Sequence, residues 1–254
     1  MTATHTGFSG QIAVVTGGAS GIGTAVARRL ASHGAAVAMF DRDEAQLQAT
    51  RDALSDEGLS VGATRVDITS EESVVAGIDA VLAEHGRLDI MVNCAGVVGP
   101  TNTKILEYDS EQFDQVCNIN LRGSFLMTKH AIKPMVQQDY GRILLYASIA
   151  GKEGNPGMCG YSTSKAAILG LVKAIGKEYA ETGVTVNGIA PAVIRTPMVE
   201  AADPAMVTYM TDRIPMKRTG SLDEAADMTT FIVSRECSFC TGAIFDLSGG
   251  RATY

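Results

Sequence analysis

No run of about eighteen apolar residues occurs anywhere in the sequence, so a membrane-spanning helix is not expected. The segment from Met1 to Gln11 lacks the basic start and apolar core of a secretory signal, and the chain reads as soluble and cytoplasmic. Positive charge is scarce and scattered. The 21 Lys and Arg stand against 28 Asp and Glu, a formal net charge of -7, which leaves no electrostatic footprint for nucleic acid or an anionic membrane. Cysteine is limited to five residues, Cys94, Cys117, Cys159, Cys237 and Cys240, an odd and dispersed set that predicts reduced thiols. Cys237 and Cys240 form a lone C-x-x-C with no second pair or nearby His to complete a zinc shell, so no metal site is expected. Linkers, repeats, charge runs and low-complexity tracts are missing too, and residues 1–254 read as one domain.

What the chain does carry is 46% hydrophobic residues arranged in alternation, short apolar runs followed by longer stretches of helical period. That pattern predicts an α/β protein with a doubly wound, seven-stranded parallel sheet and helices on both faces. Strands are expected at Ile12–Thr16, Ala36–Phe40, Val61–Val66, Ile90–Asn93, Ile143–Ala147, Thr185–Ile189 and Ala243–Leu247. Helices are expected at Gly21–His33, Glu44–Glu57, Ser70–His85, Ser110–Gln138, Tyr161–Thr182 and Leu222–Ser234. The stretch from Pro191 to Pro215, with four prolines and no firm period, reads as a lid.

After the first strand comes Thr16-Gly17-Gly18-Ala19-Ser20-Gly21-Ile22-Gly23, leading directly into a helix. Glycines there permit a tight turn and let bare backbone approach a pyrophosphate, whose charge meets the positive end of the helix. About twenty residues on, Asp41 lies just beyond the second strand, where a carboxylate accepts from both ribose hydroxyls and repels a 2'-phosphate. Asp41 therefore predicts NAD rather than NADP, with Arg42 next door as a partial offset. Asp67 and Ile68 follow the third strand and Asn93-Cys94-Ala95-Gly96 the fourth, at strand ends where a Rossmann-type sheet binds its dinucleotide. Asp67 would meet the adenine edge, or simply cap a helix, and the small residues from Asn93 to Gly96 would leave room for adenosine.

Tyr161 and Lys165 stand four apart on one helical face, and an ammonium beside a phenol brings its pKa toward the range of a working acid/base. Ser148, thirteen residues earlier at the end of the fifth strand, would face the same crevice. Together T-G-G-A-S-G-I-G, N-C-A-G, the Asn118-Ile119-Asn120-Leu121-Arg122-Gly123 segment, Ser148 and Y-S-T-S-K resemble the short-chain dehydrogenase/reductase family from about Gly10 to the end. The resemblance implies Tyr161 as acid/base, Ser148 on the substrate oxygen, Lys165 on the nicotinamide ribose, and Asn120 positioning a relay water. It further implies cofactor contacts by Gly17, Ser20, Gly21, Ile22, Gly23, Ile194 and Thr196, and a homo-oligomer, a tetramer being favoured. Departures are Cys94 where the family usually has Asn, Ala192 where Gly usually follows Pro191, and Asp246-Leu247-Ser248-Gly249-Gly250 before the tail Arg251–Tyr254, which reads as solvated, the alternative implied by tetrameric relatives being that Arg251 or Tyr254 reaches another subunit's pocket.

Substrate specificity is expected from residues Ile149 to Gly160 and from the stretch after Thr196. Lys152, Glu153 and Asn155 offer polar contacts there, and Met158, Cys159, Met198 and Met206 soft apolar ones. The reading is hydride transfer between NAD and a secondary alcohol or ketone on a small polyol, sugar or sugar acid. The alternatives are an NADPH-dependent 3-oxoacyl-thioester reductase, whose carrier would need Arg122, Lys129, Lys133 and Lys173 gathered in one patch, and a non-catalytic redox sensor. Phe125, Leu126, Ile132, Ile168, Leu171 and Ile175 would form a subunit interface or else cover the sheet.

Overall fold

The computed structural model describes residues 7–196, 199, 208 and 211–254. Its centre is a parallel sheet of β1 (Ile12–Thr16), β2 (Ala36–Asp41), β3 (Val61–Arg65), β4 (Ile90–Asn93), β5 (Gly141–Tyr146), β6 (Val184–Pro191) and β7 (Ile244–Leu247). The seven strands run in the order β3-β2-β1-β4-β5-β6-β7 and pair in parallel throughout, the seven-stranded parallel sheet that the alternating sequence pattern predicts. All five residues of β1, Ile-Ala-Val-Val-Thr, are buried, because a parallel strand is covered on both faces and so is written as an unbroken apolar run. Alternate side chains of β1 serve different cores. Ile12 and Val14 join Val74, Ile78, Leu126 and Ile168 on one face, while Ala13 and Val15 join Val26, Leu30, Leu47 and Ile232 on the other.

Helices α1 (Gly21–Ser32), α2 (Glu44–Asp56) and α8 (Leu222–Ile232) cover the second face. The first is covered by α3 (Glu71–His85), α5 (Gly123–Gln137) and α7 (Cys159–Glu178). Their starts are specified locally: Asp43 caps α2, Ser70 caps α3, and Ser221 with Glu224 forms a reciprocal capping box on α8. In α1, Ser20 stands at the cap position but makes no side-chain capping bond, and the first turn holds no acidic residue. The positive end of that helix is left open toward the strand ends.

Several expectations are corrected in detail. The run from 110 to 138 is not one helix: α4 (Ser110–Cys117) and α5 are joined by a π-helical turn, Asn118–Arg122. Ser148 does not end a strand; β5 stops at Tyr146, and the Ser148 hydroxyl accepts from Ala150 N at 3.1 Å, capping the short helix α6 (Ile149–Glu153). Helix α7 starts two residues before Tyr161, at Cys159, and ends at Glu178. Of the six apolar residues offered for an interface, Leu126, Ile132 and Ile168 are buried, Leu171 and Ile175 pack against the same core, and Phe125 is exposed. Met198 and Met206 lie outside the described residues. No helix among the described residues is long and apolar enough to cross a membrane, and none of their His, Cys, Asp and Glu side chains gather into a metal-binding group.

Candidate active site

The turn after β1 is built on glycine for reasons visible in the geometry. Gly17 takes φ +68 and Gly21 φ +56, and a Cβ on Gly23 would stand 2.0 Å from the Gly17 carbonyl oxygen, so the first turn of α1 can lie on the turn only if residue 23 has no side chain. Beside this turn runs a cavity of about 480 Å³ lined by Gly17, Ser20, Gly21, Ile22 and Gly23. Asp41 lines it from the end of β2, with Oδ2 accepting from Ala19 N and Oδ1 from Asp43 N, each at 3.1 Å, so its carboxylate is held in place. Arg42 lines the same wall. Asp67 and Ile68 line it as well. The hydroxyl and the backbone N–H of Thr69 both donate to Asp67 and hold its carboxyl below the usual range. Ala95 and Gly96 form the floor with Cys94.

Asn93 differs from its expected place. Its side chain accepts from Thr16 Oγ1 at 2.7 Å and donates to Ser124 Oγ at 2.8 Å, fully buried, and it lines neither cavity. Strand alternation turns it under the floor, where it ties β1 to α5.

A second cavity of about 640 Å³ continues the first, the two sharing Ile22, Cys94, Gly96, Val97 and Thr196. Ser148, Tyr161, Lys165 and Ile194 line it. Asn120 stays behind the wall: its Oδ1 accepts from Val97 N at 2.8 Å, and its Nδ2 donates to Val97 O at 2.9 Å and Ser164 Oγ at 3.0 Å. The π-helical turn thereby anchors the loop after β4. A Cβ on Gly96 would come within 3.0 Å of Asn120 Oδ1 and 3.4 Å of Lys165 Nζ, so a larger residue would crowd both.

The electrostatics of the triad differ from the expectation in one respect. Lys165 Nζ donates to the Tyr146 carbonyl at 2.7 Å and stands 5.8 Å from the centre of the Tyr161 ring. Burial lowers the Lys165 ammonium to about 8. Burial also raises the Tyr161 phenol, and the group that draws it back down is Ser148, through a hydrogen bond, rather than the lysine. Cys94, between the two cavities, has its thiol pushed up by burial and is correspondingly inert.

On the substrate side Asn155 and Met158 line the second cavity, while Cys159 lines neither. Lys152 is held by Asp246 at 3.1 Å and by the Tyr254 carbonyl, and Glu153 by Arg251 at 2.8 Å, so these two support the loop from behind. Arg251, which the sequence reading left in a solvated tail, lines the second cavity with Arg213. The tail is not free: the Tyr254 hydroxyl donates to the Lys152 carbonyl.

The profile described as "Enoyl-(Acyl carrier protein) reductase" matches residues 17–252, which spans the whole cleft just described. The chain belongs to the short-chain dehydrogenase/reductase family. It is an NAD(P)-dependent oxidoreductase of that family. It is 40% identical to a 2-dehydro-3-deoxy-L-rhamnonate dehydrogenase (NAD(+)) of Sphingomonas sp. (strain SKA58), over 97% of each chain. It is also 35% identical to a 3-oxoacyl-[acyl-carrier-protein] reductase FabG of Rickettsia bellii (strain RML369-C), over 96% of this chain and 97% of the relative. Among solved structures, NAD+-bound xylitol dehydrogenase superposes with a TM-score of 0.91 at 32% identity, covering 96% of this chain and 99% of the other.

As a short-chain dehydrogenase/reductase, the chain keeps its departures outside the Ser148, Tyr161 and Lys165 trio. Ala192 lines the second cavity without carrying a polar group into it. Sequence reasoning missed Arg251, Arg213, Thr101 and Asn102 in that lining, and Gln115 and Asn118 in the first. Asn102 had a faint signal, being one of the few residue types that tolerates its φ of 55. Arg213 had none, and the sequence offered Arg251 only a solvated tail or another subunit's pocket, because only the tertiary fold brings residue 251 beside residue 155.

Proposed function

We propose that this short-chain dehydrogenase/reductase oxidises the secondary alcohol of a small polyol, sugar or sugar acid with NAD, and reduces the corresponding ketone in reverse. The observation that carries the reading is Asp41, a carboxylate fixed by Ala19 and Asp43 in the wall of the first cavity, where a 2'-phosphate would be repelled. The residues present fit a dinucleotide: glycines that no Cβ could replace, an uncapped helix end for the pyrophosphate, and Asp41 for the ribose. Bound there, NAD would supply the hydride acceptor. In this reading Gly17, Ser20, Gly21, Ile22 and Gly23 hold its phosphates, Asp67, Ile68, Ala95 and Gly96 its adenosine, and Ile194 and Thr196 its carboxamide end. The relative of known NAD dependence named above supports the choice of cofactor and the sugar-acid lean.

The protein's own groups then handle the proton. The Ser148 hydroxyl fixes the substrate oxygen against the Tyr161 phenol, which takes the alcohol proton as the carbon gives up its hydride. Lys165 holds the cofactor ribose, and the Ser148 hydrogen bond favours the phenolate. Asn120 keeps the Val97 loop and the start of α7 in register. A cytoplasmic tetramer belongs to the same reading, in keeping with the exposed apolar side chains of Phe125, Phe231 and Phe239.

A second reading, reduction of a 3-oxoacyl thioester with NADPH, draws on the Rickettsia relative and on Arg42 beside Asp41. The carrier patch that reading needs is weakened by Lys129, which is committed to Glu71, and by Arg122, which donates to the Thr69 carbonyl. Reduced-nicotinamide absorbance with NAD and NADP in parallel separates the two, using gluconate, xylitol, simple secondary alcohols and hydroxyacyl thioesters. Turnover of a polyol or sugar acid with NAD is expected; activity with NADP and a thioester alone would overturn the proposal. Asp41→Ala should lower kcat/KM for NAD roughly 10- to 100-fold, the worth of hydrogen bonds to a charged group, and narrow its lead over NADP.

A further inference from the structure

The second cavity is apolar over most of its wall, and among the described residues its charged members are all cationic: Lys165, Arg213 and Arg251, with no Asp or Glu. This stands out in a chain of net charge -7. Arg251 is the one with a built mount. Its side chain is only 8% exposed; Nε donates to Glu153 Oε2 at 2.9 Å and Nη2 to Asn155 Oδ1 at 3.2 Å. Those two bonds lock the guanidinium in one orientation, and its Nη1 makes no hydrogen bond to the described residues. Asn155 lines the cavity with it, and Glu153 stands outside.

We infer that Arg251 is the specificity residue for an anionic substrate, taking its carboxylate in the cavity that Ser148 and Tyr161 also line. The inference rests on the dehydrogenase reading and narrows it from polyols and sugars to hydroxy acids. A guanidinium already fixed by two partners loses little freedom on binding, and its Nη1 is left to donate to a carboxylate in a charge-assisted hydrogen bond. Glu153 sets the size of the charge accepted. With one carboxylate already on Arg251, a second single charge is tolerated, whereas a dianionic phosphate would meet repulsion from Glu153. The mount also links the tail to the helix that Ser148 caps, so the anion site and the reacting centre share one loop.

The test compares acids with their uncharged amides in one protein at a time, so that any general loosening of the loop cancels in the ratio. With NAD present, gluconate against gluconamide and 3-hydroxybutyrate against its amide should show a kcat/KM ratio of about 10- to 100-fold in favour of the acid. In Arg251→Met the ratio should collapse toward one, Arg251→Lys should restore part of it, and Glu153→Gln should raise it and admit phosphate esters. An equal ratio in the parent protein, or one unmoved in Arg251→Met, would overturn the inference while leaving the dehydrogenase intact. Should no probe turn over, thermal shift with NADH bound reads the same site. Stabilisation by gluconate but not gluconamide, lost in Arg251→Met, supports the anion site even if the proposed reaction fails; equal shifts refute it.

Discussion

Replacing Tyr161 with Phe should lower turnover by at least 10²- to 10⁴-fold, the range of a lost general acid/base, with NADH affinity by fluorescence titration nearly unchanged. The phenyl ring keeps the packing, and only the oxygen that meets Ser148 is lost. Retained turnover would place the proton transfer on another group. The direction of the pH dependence follows from the same phenol. Oxidation needs it as the phenolate, so the rate should climb with pH until the group has ionised. Reduction needs the neutral form and should decline over that span. Burial pushes the phenol up and the Ser148 bond pulls it down, so Ser148→Ala should move the rising limb of oxidation to higher pH as well as lowering the rate.

Lys165→Met should abolish activity and yet make the cofactor-free protein more stable at neutral pH. The ammonium is buried, and its drop from the ordinary 10.5 to about 8 corresponds to a penalty of roughly 3 kcal/mol for keeping it charged. The sign follows from proton counting: between 8 and 10.5 the unfolded chain holds a proton that the folded chain has shed. Stability therefore rises with pH across that window, and the penalty is felt in full below it. Methionine fills a similar volume without charge, at the cost of leaving the Tyr146 carbonyl without its 2.7 Å donor, worth about 1–2 kcal/mol. A net gain of about 1–2 kcal/mol is expected by urea denaturation at neutral pH, shrinking or reversing at alkaline pH where the native lysine is neutral. A loss of stability that is the same at both pH values would show that the ammonium is not under strain. Strain of this kind is common where a group is kept for chemistry rather than for folding.

The strands were legible because a parallel strand has no wet face: Ile12–Thr16 and Ile90–Asn93 match residue for residue. The glycine turn, Asp41, Ser148, Tyr161 and Lys165 were legible because their chemistry is carried by local spacing, and the fold brings them to one cleft. What was hidden depended on distance. Helix α6 has only five residues, with a glycine among them, too few to show a period. Asn93 had a suitable place but the wrong direction, set by which face of β4 meets α5. Arg251 entered the substrate cavity through contacts with residues 153 and 155, nearly a hundred positions away. The electrostatic role of Lys165 changed for a related reason, since the Tyr146 carbonyl that engages its ammonium comes from a neighbouring strand.

The wide turn at Asn118–Arg122 also decides which walls its flanking helices can build. One residue more per turn than the regular spiral advances the helical phase by about 100°. Helix α4 can therefore lay its apolar stripe on α7, while α5 turns its own toward α3 and β5. Shortening the segment by a single residue would restore an unbroken spiral and rotate Leu126, Met127 and Ala131 away from the sheet. The length of this segment therefore matters to the packing of both helices, independently of which side chains it carries.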